Sequence, residues 1–125
     1  MKTESRTGLK DRTRAFALQI VRLYSALPKT TVAQVIGRQV LRSGTSVGSH
    51  YHEGVRGRSD AEFISKLERA LQELEETRYW LDLMIDANVV AGSEIAGAVQ
   101  EARELTAILV TCVRKVKERR DRDER

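Results

Sequence analysis

The chain has 125 residues, 41% hydrophobic, 32% charged and 5% aromatic, with a net charge of +4; this length suits one domain around one core. The apolar residues fall in periodic stripes, which argues against disorder, and no stretch approaches the roughly 18 uncharged apolar residues of a membrane span. The polar opening MKTESRTGLKDRTR lacks a signal-peptide core and Cys112 is the one cysteine, so a reducing, cytoplasmic setting is expected.

After a short polar tail (about residues 1–8), the first predicted helix carries Phe16, Ile20, Leu23 and Leu27 at steps of four, three and four. Ala17, Val21 and Tyr24 lie beside that stripe. The helix ends at Leu27, because the residue before Pro28 avoids the α region. Thr30 or Thr31 can cap the second helix, where Val32, Ile36, Val40, Ser43, Val47 and Tyr51 share a face. The run from Ser43 to Ser49 has poor helix propensity, each glycine costing roughly 1 kcal/mol against alanine. A loop is the plain alternative, but the apolar face runs through the segment from Val40 to Tyr51, so a helix interior is expected. Its small side chains would then let another helix come close, with the hydroxyls bonding to carbonyls one turn back.

Ser59 and Glu62 have capping-box spacing at the start of a third helix. That helix continues Phe63, Leu67, Ala70, Leu74, Thr77, Leu81 and Met84, and Asn88 or Gly92 closes it. The fourth repeats the spacing as Ile95, Val99, Ala102, Thr106, Leu109, Val113 and Val116, ahead of a polar tail at about 119–125. Sustained spacing of four and three implies near-parallel packing at roughly +20°. With short connections, the chain is expected to be all-α, an up-down four-helix bundle in a single domain spanning 1–125.

The charges are segregated along the chain. Lys2–Arg14, Gly37–Arg58 and Arg114–Arg125 each carry a net +3, whereas Asp60–Asp86 carries −5. A basic face attracts phosphates, so the candidate nucleic-acid contacts are Arg12, Arg14, Arg38, Arg56, Arg58, Arg114, Lys115, Lys117, Arg119 and Arg120. Pairing between helices or subunits is the competing use of the same charges. Whether the three basic segments meet at one pole is left to the tertiary structure.

Catalytic and metal chemistry find little support. Di-iron bundles need Glu-x-x-His on two helices, but Val47 and Ser49 precede His50 and His52 by three. The two histidines stand about 200° apart on a helix, so they cannot share one metal. Cys112 borders the Leu109–Val116 stripe and is expected to be a structural, buried thiol. Gly44-Thr45-Ser46-Val47-Gly48 matches a hydrolase elbow in letters only, without the strand-turn-helix context. No catalytic residue, metal or cofactor is expected.

Glu73, Glu76 and Trp80 lie on one side of the third helix, as Gln39 and Arg42 do on the second. A Glu–Arg set at that seam would fix the helix register, and Trp80 is expected in the core or at a subunit contact.

Gln39, Arg42, Ser46 and the run to Ser49, with Glu53 and Gly54, resemble the signature of the bacterial four helix bundle protein family, found in intervening sequences of 23S ribosomal RNA genes. Phe63, Lys66, Leu67, Ala70, Glu73, Glu76, Thr77, Tyr79, Trp80 and Leu81 are similar to its second motif. The resemblance covers nearly the whole chain. It implies a ring-shaped homopentamer, related to the accessory variability protein of diversity-generating retroelements, a basic pentamer that binds nucleic acid and a reverse transcriptase. The family often has Asn where this chain has His50, and a neutral His supplies one of that amide's two roles. A non-enzymatic, RNA-interacting oligomer is therefore expected. Its candidate partners are further copies of itself, RNA or DNA, and a reverse transcriptase or other protein; a protein-interaction scaffold is the alternative.

Overall fold

The computed structural model describes residues 6–124; Lys2 and Glu4 of the first basic segment and Arg125 of the last lie outside them. Its helices are α1 (Arg6–Ser25), α2 (Thr31–Val55), α3 (Asp60–Asp86) and α4 (Gly92–Asp123). Short connections reverse the chain three times. Sequential helices therefore pack antiparallel, and α4 closes more thinly onto α1. No strand occurs among the described residues, and the fold is the expected all-α four-helix bundle. The stretch 119–123, read as tail from its composition, continues α4, and residues 6–8 already belong to α1.

Local chemistry ends each helix. Thr30 caps α2 by accepting from the Ala33 N–H at 3.2 Å, while Gln34 donates to the Pro28 carbonyl at 2.8 Å and receives the Tyr24 hydroxyl at 2.9 Å. Ser59 caps α3 by accepting from Glu62 N–H at 3.1 Å. The Glu62 carboxylate reaches back to the Arg58 N–H at 3.2 Å, one residue beyond the Ser59 N–H of the expected box. At the end of α3, Asn88 takes φ 58°. The Asn88 N–H bonds to Ile85 O at 3.0 Å and the Val89 N–H to Met84 O at 2.9 Å. These two bonds make a Schellman motif, which is why Asn88 closes α3 and Gly92 starts α4 instead.

The core departs from the expected stripes in each of the four helices. Val32 is 55% exposed and Ala33 is buried. Counting back from Val40, Ala33 lies seven residues away, about 20° off the same face, whereas Val32 lies about 80° off. In α4 the buried line runs Ile95, Ala98, Ala102, Leu105, Leu109, Val113, so Val99 and Thr106 flank it. The larger apolar side chain had been preferred where a small alanine faces the neighbouring helix. At the start of α3 the buried residue is Ile64, three before Leu67, while Phe63 is only partly covered. In α1, Leu9 and Thr13 extend the core line downward from Phe16, and Leu23 lies at its edge.

The Ser43–Ser49 run is helix interior, as its periodicity predicts. Ser43 and Thr77 are fully buried and their hydroxyls meet at 2.7 Å across the α2–α3 contact. Ser43 also reaches Gln39 O at 2.9 Å and Thr77 reaches Glu73 O at 2.7 Å, so two hydroxyl protons serve three contacts. Gly44 faces α1. A Cβ there would sit 2.8 Å from Ile20 Cγ1, so a side chain at position 44 requires the Ile20 side chain to shift.

Candidate nucleic-acid interface

A polar chain runs along the outside of the α2–α3 seam. Arg42 Nη2 donates to Glu76, and Arg42 Nη1 lies 3.5 Å from Glu73. The hydrogen bond to Glu76, reinforced by the charges of Glu76 and Glu73, raises the Arg42 pKa above its ordinary value despite some desolvation. Glu76 also accepts from the Trp80 indole at 3.3 Å. Further down, His50 Nε2 faces Glu73 and His50 Nδ1 faces Glu53, each at 3.4 Å. Lys66 reaches Glu53 at 3.5 Å. The charge of Lys66, then the hydrogen bond from His50, lower the Glu53 pKa.

The expected pairing of Arg42 with Glu73 and Glu76 is therefore present, and Ser46 bonds back to Arg42 O at 2.7 Å. Gln39 is half-buried, and its carbonyl receives Ser43. Two carboxylates, both acceptors, face the two ring nitrogens of His50. Trp80 is half-buried with its ring edge-on to Tyr79, centroids 5.0 Å apart. Arg42 is 52% exposed, which limits what this seam contributes. Arg42→Ala should destabilise by about 1 kcal/mol, the upper end for exposed pairs, because it unpairs two carboxylates. Arg42→Lys should recover only part of that, lacking the planar fork. Urea unfolding of both variants checks this; a wild-type midpoint for the alanine variant would make the seam energetically idle.

The ten candidate cations divide into two groups. Four are occupied. Arg12 forms a fork onto Glu101 at 2.8 and 3.0 Å and touches Glu104 at 2.7 Å, clamping α1 to α4. Gln100, then Arg12, hydrogen-bond Glu104 and lower its pKa. Arg119 pairs with Asp60 at 2.7 Å, Lys117 with Glu68 at 3.1 Å, and Arg114 lies 3.9 Å from Glu118. Arg12 is thus a structural clamp rather than an open phosphate contact, and Lys117 and Arg119 tie α4 to α3. The side chains of the other six, Arg14, Arg38, Arg56, Arg58, Lys115 and Arg120, have no carboxylate within 4.0 Å of their nitrogens among the described residues.

The antiparallel α1–α2 pair brings the first two basic segments together. Thr13 lies beside Gly48, so the start of α1 runs along the end of α2. Arg38, Thr45, Ser49, His52 and Arg56 succeed one another at steps of seven, four, three and four, forming one outer line on α2. Lys10 and Arg14 on α1 border the same groove as Thr45, Ser49 and His52. The sequence reasoning missed Lys10, Ser49 and His52. The four-residue spacing of Lys10 and Arg14 was the available signal.

Among the described residues no group of three or more His, Cys, Asp or Glu side chains is arranged to hold a metal, and no helix is long and apolar enough to cross a membrane. Cys112 is half-buried against the core.

Comparison with known proteins agrees with this architecture. A protein of unknown function from the S23 ribosomal protein family of Bacteroides thetaiotaomicron, known from its crystal structure, is similar at 34% identity and a TM-score of 0.82. The alignment covers 87% of this chain and 97% of that one. No curated protein matches the chain. The profile of the 23S rRNA-intervening sequence protein family matches residues 8–111. With a match over most of its length, the chain belongs to the 23S rRNA-intervening sequence protein family.

Proposed function

We propose that this protein is a non-enzymatic, self-associating bundle that binds nucleic acid, RNA first, through phosphate contacts on its α1–α2 side. The observation that carries this is the spatial separation of charge. Residues 6–56 hold nine basic and two acidic side chains, a net +7, while α3 holds three basic and eight acidic, a net −5. One of those two acids, Glu53, is already engaged by Lys66 and His50. The field of that side is therefore positive, and Arg14, Arg38 and Arg56 stand on it without a carboxylate partner among the described residues. A family named for intervening sequences of 23S rRNA makes RNA the first polymer to test.

Self-assembly supports the same reading. A homopentamer, the state the family resemblance implies, repeats one basic face five times, and multivalent contact raises avidity without new chemistry. Aromatic residues make up 5% of the chain, which disfavours base stacking as the mode of recognition. A reverse transcriptase is the candidate protein partner.

Binding of labelled RNA and DNA between about 50 and 300 mM salt tests the proposal, with log K expected to fall by about 0.7–0.9 per phosphate neutralised. Arg38→Ala/Arg56→Ala should weaken binding across sequences alike. Absence of binding at the lowest salt would hand the basic side to a protein partner, the scaffold role. Binding indifferent to salt would overturn the phosphate mechanism.

A further inference from the structure

A groove of about 320 Å³ runs between the lower halves of α1 and α2. Lys10 and Arg14 line one wall; Thr45, Ser49 and His52 line the other. Its floor is tight because Gly48 lets α1 approach: a Cβ there would lie 3.2 Å from Thr13 Oγ1. The chemistry of the walls is one-sided. Lys10, Arg14, Ser49 and His52 all present donors, and none of these side chains has a hydrogen-bond or ion-pair partner among the described residues. Thr45 differs, since its hydroxyl proton already serves Leu41 O at 2.7 Å.

No described carboxylate lines this groove. The other grooves described each contain at least one: Glu94 between α1 and α4, Glu53 and Glu62 at the α2–α3 turn, Glu68 and Glu118 between α3 and α4. A concave site with two cations, free N–H and O–H donors and no negative charge is complementary to an anion with several acceptor oxygens. Lys10 and Arg14 are four residues apart, about 6 Å along the helix axis, so each can serve a different phosphate of one strand. Arg56, next on the outer line of α2 after His52, prolongs the same track toward the pole.

We infer that the α1–α2 groove is a phosphodiester site that seats a single polynucleotide strand, with Lys10 and Arg14 neutralising successive phosphates and Ser49 and His52 donating to their oxygens. This rests on the nucleic-acid reading above and gives it a location. The same phosphate chemistry is offered by inorganic phosphate, so the test has to separate the two sources.

The experiment compares wild type, Lys10→Gln/Arg14→Gln, Ser49→Asp and a charge-matched control at two exposed arginines outside the basic side, Arg69→Gln/Arg103→Gln, for binding a labelled oligoribonucleotide. Circular dichroism melts check that each variant folds. The groove pair should lose at least about tenfold in affinity at about 100 mM salt and about 1.4–1.8 in the slope of log K against log salt, two phosphates' worth. Ser49→Asp, which places a carboxylate in the groove, should weaken binding comparably, while the control stays within about threefold of wild type. Equal losses for the groove and control pairs would overturn the groove while leaving nucleic-acid binding standing. A wild type that does not bind would remove both. Complete displacement of the RNA by about 1 mM inorganic phosphate at constant ionic strength would make the groove a small-anion pocket, and the strand site would be wrong.

Discussion

Gly44→Leu should lower the unfolding midpoint by about 12 °C, from about 3 kcal/mol of overpacking at about 4 °C per kcal/mol. The position is buried in the middle of α2, where glycine costs about 1 kcal/mol against alanine in helix propensity. What offsets that cost is the approach of α1. An added Cβ would meet Ile20 at 2.8 Å from Cγ1 and 3.0 Å from Cγ2, and Ile20 is itself fully buried with no room to withdraw. Gly44→Ala therefore sets two effects against each other, and the clash is expected to win by about 1 kcal/mol. The sign should reverse once Ile20 is cut back. In an Ile20→Ala background, Gly44→Ala should stabilise by about 1 kcal/mol, the plain propensity gain. Thermal and urea unfolding of the four proteins give the coupling. A destabilising Gly44→Ala in both backgrounds would show that something other than Ile20 keeps position 44 small.

Tyr79→Lys is expected to convert the proposed homo-oligomer into monomers. Tyr79 is 60% exposed, and its ring braces the half-buried Trp80 from the side. Leu71 and Leu83 of the same helix are also only partly covered, so α3 carries more apolar surface than the bundle itself uses. Surplus of that kind marks a contact surface, and aromatic anchors dominate the energy of such contacts. A charge placed at Tyr79 would have to be desolvated in every copy of the proposed ring. Light scattering at micromolar concentration should give about 70 kDa for a wild-type pentamer of 14.1 kDa chains, and about 14 kDa for the variant. A wild type already at 14 kDa would abolish the oligomer. A variant that keeps the full mass would move the contact away from Tyr79.

Much of the fold was legible because periodicity is a local property. Pro28 ended the first helix, Ser59 capped the third, and the apolar line from Val40 to Tyr51 carried α2 through two glycines that propensity alone would have broken. The Arg42 partnership with Glu73 and Glu76 was legible for the same reason, since spacings of three and four put both carboxylates on one side of α3. Errors of a single residue, Val32 for Ala33 and Val99 for Ala98, arose where the larger hydrophobe was favoured. The neighbouring helix decides instead, and close-packed helices take alanine where backbones nearly touch.

By itself the sequence determined four helices, the caps that start the second and third, the small-residue run that permits close packing, and an uneven charge along the chain. Only the tertiary structure decided which charges remain open. Arg12, Lys117 and Arg119 read like any other cations in the sequence, yet each meets a carboxylate from 49 to 92 residues away. Lys10, Ser49 and His52 were not among the candidate contacts, yet the antiparallel return of α2 along α1 sets them around one groove. The physical reason is common to both. A side chain's charge is a property of its residue, but its partner is set by which helix the bundle places alongside.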